Sequence, residues 1–227
     1  VAELARAHGA IVVDDLGSGA LLDTAAFGLA HEPTPRERLA AGADVVLFSG
    51  DKLVGGPQAG PNVGRGDPPG RLRRRPLALA PRPGKAIPAR VAATLAIYRA
   101  GAAASDIPVW RMIATPPDVL RVRAEAIAAA LPDAALPHAA AGPHGVDVAE
   151  LRSPVGGGSL PGQTLPSFGL RVPVGSPARA AAALRRGPDR VLARVEDGAL
   201  VLDLRTVRPG ADGILARRIA DLLAPRQ

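Results

Sequence analysis

Asp44-Val45-Val46-Leu47-Phe48-Ser49-Gly50-Asp51-Lys52-Leu53-Val54-Gly55-Gly56-Pro57-Gln58 is the stretch on which the reading of this chain turns. Asp44 to Phe48 is a β-prone apolar run of the length and continuity that suit a buried strand. A small polar turn follows, then a lysine, then a glycine-rich loop. The chain carries 28 Lys and Arg residues, and Lys52 and Lys85 are its only lysines. Arginine supplies the general surface charge, so lysine at position 52 asks for a chemical reason. A guanidinium stays protonated and is a poor nucleophile. A lysine amine loses its proton when burial and neighbours favour it, and then attacks carbonyl carbons.

Upstream, Ile11-Val12-Val13-Asp14-Asp15 is a second β-branched run, ending in two acids, with Leu16-Gly17-Ser18-Gly19 as a turn. Between the two runs, Pro35 to Ala41 reads as a helix. Thr34 is its N-cap, Pro35 its first residue, Glu37 the acid of a capping box, and Gly42 its stop. Strand, helix, strand in this order predicts a parallel α/β unit with a right-handed crossover. Ligands of open α/β sheets bind beyond the carboxyl ends of the strands. Asp14 and Asp15 lie at one such end and Ser49 to Lys52 at the next, so two separate segments converge on one expected site.

Further along, residues 61–64 suggest a short strand weakened by Pro61. Helices are expected over 68–75, 86–100 and 118–131, and a Pro/Ala/Gly-rich connector over 132–145. Strands then fall at 146–151 and 168–174, and a helix at 177–186. A hairpin joins 191–196 to 199–204 around Asp197-Gly198, and an amphipathic helix spans 212–223. The domain reading is a cofactor-type α/β part over 1–110, a connecting helix and linker over 111–145, and a small α+β domain over 146–227. Val1 to His8 reads as the second half of a helix, so the chain is expected to begin inside a domain.

A length of 227 residues with 47% hydrophobic residues supports a packed core, but aromatics at 2% mean that Ala, Val, Leu and Ile must fill it. No apolar run predicts a membrane span, and no cationic leader precedes an apolar stretch. The lack of cysteine excludes disulfide and thiol chemistry and fits a cytoplasmic protein. The net charge of +7 permits a polyanionic partner such as RNA, although a GC-rich coding bias toward Arg, Ala, Gly and Pro is the favoured source of it. Arg71 to Arg75 is the densest basic run. His8, His31, His138 and His144 lack metal-ligand spacing, and neither a dinucleotide nor a Walker-type fingerprint is present.

An amine after one strand and a carboxylate after its neighbour match what pyridoxal phosphate asks of a protein. Lys52 offers the amine. Asp14 or Asp15 offers a carboxylate to the pyridine nitrogen, keeping the ring an electron acceptor. Alternation along a strand sends the two acids to opposite faces, and Asp15, last before the turn, is the favoured one. Ser49 and Gly50 offer groups to a phosphate, and the loop ending in Gln58 is placed to reach a neighbouring subunit's cofactor. Asp51 stands next to the amine, as a tuner or proton carrier. No residue that would cover the ring is identified.

Asp15-Leu16-Gly17-Ser18-Gly19-Ala20-Leu21-Leu22-Asp23, the Phe27-Gly28-Leu29 and Glu32-Pro33-Thr34-Pro35 words, and Phe48 to Gly60 together resemble bacterial selenocysteine synthase, the L-seryl-tRNA(Sec) selenium transferase family. Val155-Gly156-Gly157-Gly158-Ser159-Leu160-Pro161-Gly162 and Leu202-Asp203-Leu204-Arg205-Thr206-Val207 look like its small-domain motifs. The resemblance implies the second half of an aspartate-aminotransferase-like (fold type I) large domain, followed by a small α+β domain. It implies pyridoxal phosphate on Lys52, with Asp15, Ser49 and Gln58 around it. Seryl-tRNA(Sec) and selenophosphate are the implied substrates, and the implied assembly is a homo-oligomer built from dimers. Arg82 matches one of two arginines the family places to grip the selenium donor. Leu79 stands where the other would be, which favours a second reading, a related lyase or aminotransferase acting on a small amino acid. A non-catalytic assembly module is a third.

Overall fold

The two strand-like runs pair with each other in the computed structural model, which describes residues 1–79, 83–131 and 145–224. The chain divides into two compact units, Val1–Ala114 with Pro154–Gln163, and Thr115–Ser153 with Thr164–Gln227.

In the first unit, helix α1 (Ala2–Ala7) precedes strand β1 (Val13–Gly17), helix α2 (Pro35–Ala40) and strand β2 (Val45–Phe48). The capping box forms as read: Thr34 Oγ1 accepts from the Glu37 amide at 3.3 Å, and Glu37 Oε2 accepts from the Thr34 amide at 2.8 Å. β1 and β2 are parallel, with Val13 opposite Val45 and Asp15 opposite Leu47. β1 begins later than the apolar run suggests. Ladder pairing starts at Val13, where Val45 first becomes available, and Ile11 is left exposed. Strand β3 (Asn62–Gly64) joins β2 antiparallel, so the three-stranded sheet β1-β2-β3 is mixed. The turn from Lys52 to Pro61 is too short for the crossover that a parallel neighbour needs.

Helices α3 (Pro68–Arg73), α4 (Ala86–Arg99), α5 (Ala103–Asp106) and α6 (Pro108–Ala114) complete this unit. Arg71 and Arg74 of the basic run both reach Asp67, at 3.9 and 2.9 Å, on an exposed face. The core beneath the sheet holds Ala43, Val46, Phe48 and Val54, with Leu16, Leu39 and Tyr98 packed against them.

In the second unit, helix α7 (Pro117–Ala129) is followed by strands β4 (Asp147–Pro154) and β5 (Thr164–Pro173). Helix α8 (Pro177–Arg186), strands β6 (Arg194–Glu196) and β7 (Ala199–Asp203), and helix α9 (Asp212–Leu223) complete it. The sheet order is β4-β5-β7-β6. β7 pairs antiparallel with β5 and with β6. Asp197 and Gly198 both take positive φ, 47° and 74°, as a two-residue hairpin of the primed type requires. Leu120, Leu170, Leu200, Leu202 and Ile219, all nearly free of solvent, form its core. Arg123 grips the Asp212 carboxylate at the start of α9 through two nitrogens, at 2.9 and 2.6 Å. The connector read over 132–145 falls almost wholly outside the described residues.

Candidate active site

The carboxyl ends of β1 and β2 meet at one carbonyl. Gly17 O accepts a hydrogen bond from the Ser49 amide at 3.2 Å and another from Lys52 Nζ, also at 3.2 Å. One oxygen therefore binds the turn after β1, the turn after β2 and the lysine amine together. Lys52 is half-buried and, among the described residues, forms no ion pair. Its amine is held by a neutral acceptor, the Gly17 carbonyl, which restrains its direction.

The two acids separate as strand alternation demands. Asp14 turns to α2, with Arg38 Nε 3.4 Å from its carboxylate. Asp15 is exposed, and its Oδ1 accepts from the Gly17 amide at 3.2 Å, which shapes the turn whose carbonyl holds Lys52. Asp14 is thus committed to a structural pair and Asp15 remains available. Ser18, next along, is 1% exposed, and its hydroxyl has no hydrogen-bond partner. A buried hydroxyl without a partner costs stability and calls for an explanation. The sequence reading passed over Ser18, because a serine between glycines looks like ordinary turn chemistry.

The backbone after Lys52 is clamped from α4 and α6. Tyr98 Oη donates to the carbonyls of Leu53 and Val54, each at 3.0 Å. Trp110 Nε1 donates to the Leu53 carbonyl at 2.7 Å and to Tyr98 Oη at 2.6 Å. Burial pushes the Tyr98 phenol up to about 12, partly offset by the Trp110 hydrogen bond, so it stays a donor across the working range. Trp110 is fully buried and meets Phe27 with ring centroids 5.4 Å apart. The chain's single tryptophan and single tyrosine are thus both used to hold the lysine segment. The sequence reading gave Tyr98 only a helix face and did not use Trp110. Nothing in spacing links residue 53 to residues 98 and 110.

Gly55 explains part of the glycine-rich loop. Its φ is +70°, and a Cβ there would collide with the Ile107 side chain. A second glycine loop folds against the lysine itself. Residues 154–163 belong to this unit, fastened where Gln163 Oε1 accepts from the Ala30 amide at 3.2 Å. Gly158 takes φ +81°, and a Cβ at that position would lie 3.1 Å from Lys52 Cε and 3.4 Å from Nζ. A side chain at 158 would push the lysine stem aside by a few tenths of an ångström and would strain the backbone at this φ.

Between the two glycine loops lies a cavity of about 360 Å³. Asp51, Lys52 and Ser159 are its polar side chains, and Pro108, Val109 and Met112 of α6 form an apolar wall. Asp51, an exposed residue, thus shares a cavity with Lys52. Neither Asp15, Ser49 nor Gln58 lines it. Ser49 is tied through its amide to Gly17, and Gln58 is exposed further along the loop. Arg82 lies outside the described residues. Among those residues no cluster of His, Asp and Glu could hold a metal, and no helix is long and apolar enough to cross a membrane.

These features define an α/β protein with a lysine-centred site at the ends of adjacent parallel strands. Residues 1–208 match the family described as SelA, L-seryl-tRNA selenium transferase. Among curated proteins, the L-seryl-tRNA(Sec) selenium transferase of Rhizobium meliloti is 44% identical over 216 residues, covering 93% of this chain and 46% of that protein. The protein of the same name from Moorella thermoacetica is 42% identical over 224 residues, covering 97% and 47%. The chain therefore belongs to the L-seryl-tRNA selenium transferase family, and it spans about half the length of the curated relatives it matches. Among solved structures, a D-glucosaminate-6-phosphate ammonia-lyase superposes with a TM-score of 0.60 at 22% identity. That match covers 98% of this chain and 51% of that one, and it is a likeness of fold.

Proposed function

We propose that this chain carries the lysine-bearing half of a pyridoxal-phosphate-dependent selenium transferase, converting seryl-tRNA(Sec) to selenocysteyl-tRNA(Sec) with selenophosphate as donor. In this reading Val1–Ala114 is the second half of a fold type I large domain, and Thr164–Gln227 belongs to a small C-terminal domain. The protein works in the cytoplasm as a homo-oligomer of dimers. The observation that carries the proposal is the placement of Lys52 Nζ on the Gly17 carbonyl, beside the available carboxylate of Asp15. Family membership over residues 1–208 supports the substrate class.

The donor set fits the cofactor: an amine without an ion-pair partner, a carboxylate one strand away that accepts only a turn amide, and an orphaned buried hydroxyl at Ser18. Lys52 would hold the aldehyde carbon, Asp15 a proton at the pyridine nitrogen, and Ser49 and Gln58 the remaining polar groups. When bound, pyridoxal phosphate supplies an electron sink for the substrate's α-carbon. Lys52 Nζ then serves as the base at the α-proton. Asp51, in the same cavity, is placed to relay to the departing serine hydroxyl the proton that Lys52 takes from the α-carbon. Arg82 grips the anionic selenium donor. Tyr98 and Trp110 position the lysine segment and touch no reacting atom.

Cofactor capture tests the reading. Pyridoxal phosphate added to the chain should give a visible absorbance band, and borohydride should fix the label on the peptide containing Lys52. Lys52→Arg should abolish the band and the label while leaving the thermal melt unchanged. A label distributed over Lys85 and the N-terminus, with Lys52 unmodified, would refute it.

A further inference from the structure

Lys52 is restrained at two points. Its amine donates to the Gly17 carbonyl, and its methylene stem passes Gly158, where a Cβ would lie 3.1 Å from Cε and 3.6 Å from Cδ. A lysine side chain carries more rotamer freedom than most, and a nucleophile reacts only from a narrow range of directions. Whatever keeps the 154–163 loop on that stem therefore bears on how often the amine points the right way.

Gln163 closes this loop. Its carbonyl accepts from the Val155 amide at 3.3 Å, its amide donates to the Leu160 carbonyl at 3.0 Å, and its side-chain oxygen accepts from the Ala30 amide at 3.2 Å. The first two bonds shut the neck of the loop, and the third ties that neck to a segment 133 positions away. Ala30 is itself firmly mounted. Its carbonyl accepts from Thr24 Oγ1 at 2.6 Å, and that same hydroxyl oxygen accepts from the Glu32 amide at 2.8 Å. Thr24 is closed to solvent, so a buried hydroxyl grips the chain on both sides of the latch. Leu160 adds a second hold. It takes φ +48°, a strained conformation for leucine, yet its side chain is buried. Such strain persists only where the surroundings over-determine it. The loop thus has one preferred shape, and in that shape Gly158 lies on the lysine stem.

We propose that Gln163 is a positioning residue for Lys52: its side-chain oxygen, bonded to the Ala30 amide, holds the glycine loop against the lysine stem and so keeps the amine aimed for attack on an aldehyde. Gln163 does not line the cavity and acts only through the loop. Tyr98 and Trp110 fix the backbone that follows the lysine, and Gln163 fixes what lies along its side chain. The group required at position 163 is an acceptor oxygen, so a carboxylate serves there and a methyl does not. The inference rests on the cofactor reading given above.

Two reagents and one exchange measurement test it. Brief exposure to pyridoxal phosphate, then borohydride and peptide mapping, gives the labelling of Lys52 relative to Lys85. Gln163→Met, close to glutamine in length but ending in a methyl, should lower that ratio about fivefold, and Gln163→Glu should keep it within about twofold of the unmutated chain. Acetic anhydride, which needs no cofactor site, should show the reverse. With the loop released, acetylation of Lys52 relative to Lys85 should rise about threefold in Gln163→Met and stay unchanged in Gln163→Glu. In the unmutated chain, the Ala30 amide should exchange its hydrogen at least about tenfold more slowly than in an unstructured peptide. A Gln163→Met chain that melts lower but leaves both ratios unmoved would reduce Gln163 to a structural residue and overturn the proposal. So would Gln163→Glu behaving like Gln163→Met, or an Ala30 amide that exchanges freely. The exchange measurement uses the unmutated chain and stands even if a variant fails to fold. No capture at Lys52 in the unmutated chain, with the acetylation shift present, sinks the cofactor reading alone. Capture that Gln163→Met leaves unaltered, with acetylation unaltered too, sinks this inference alone.

Discussion

Two groups of buried side chains, one in each unit, are treated in opposite ways. In the second, both oxygens of Asp203 are occupied. Ser167 Oγ donates to Oδ1 at 2.6 Å, as does the Arg205 amide at 3.1 Å, and Ser153 Oγ donates to Oδ2. Arg194 Nη1 adds a charge partner at 3.5 Å. Arg205, 6% exposed and held below its ordinary pKa range by burial, donates to the carbonyls of Thr115 and Pro166. In the first unit, Ser18 and Ser159 are as deeply buried, and neither hydroxyl has a partner. A saturated carboxylate holds a fold together. The orphaned hydroxyl of Ser18 bonds to nothing and contributes no such tie.

The most severe way to test this contrast is Asp203→Ala. It strands two serine hydroxyls, an amide and an arginine at once, so the second unit should lose about 3 kcal/mol, read as a lower urea midpoint. Ser18→Ala, by comparison, should leave the midpoint within about 0.5 kcal/mol or raise it, because no bond is lost. If Ser18→Ala proved as costly as Asp203→Ala, the distinction between the units would fail.

Smaller effects sharpen it. Tyr98→Phe removes the donor to two carbonyls beside Lys52 and should cost about 1–2 kcal/mol by denaturation. It should also slow labelling of Lys52 by pyridoxal phosphate more than labelling of Lys85. Equal slowing at both lysines would reduce Tyr98 to a packing residue.

The smallest effect is pH-dependent. His31 Nδ1 lies 2.9 Å from Asp23 Oδ1, and its Nε2 lies 3.2 Å from Glu37 Oε2. Its pKa is raised, first by the Asp23 hydrogen bond, so its contribution is full below its ordinary 6.5 and is lost as pH rises through the raised value. The Asp23 carboxyl is lowered, first by His31, and the Glu37 carboxyl, first by the Thr34 amide. Their contributions are full above their ordinary 3.8 and 4.5, and are lost as pH falls through the lowered values. The Tm should therefore fall slightly as pH rises above about 6.5 and through the raised value, and His31→Ala should flatten that slope. A slope that persists in the variant would place the titration elsewhere.

Local chemistry was legible in the chain. The Thr34 capping box, the Asp197-Gly198 hairpin, and helices α8 and α9 appear where propensity and periodicity put them. The approach of Lys52 to the turn after β1 followed from parallel strand order, and alternation separated Asp14 from Asp15. What escaped depends on contacts distant in sequence. The antiparallel pairing of β3 and the Trp110–Tyr98 clamp carry no periodic signal. Neither does the return of residues 154–163 to the lysine more than a hundred positions earlier. Helices α5 and α6 are short and broken at Pro108, too brief for a 3.6-residue pattern to register.

The clamp has a practical corollary. The lone indole of the protein is bonded to the carbonyl of Leu53, one residue past the amine. Its emission is therefore a built-in optical gauge of that segment: whatever docks on Lys52 and shifts its peptide should change the tryptophan signal, with no dye attached.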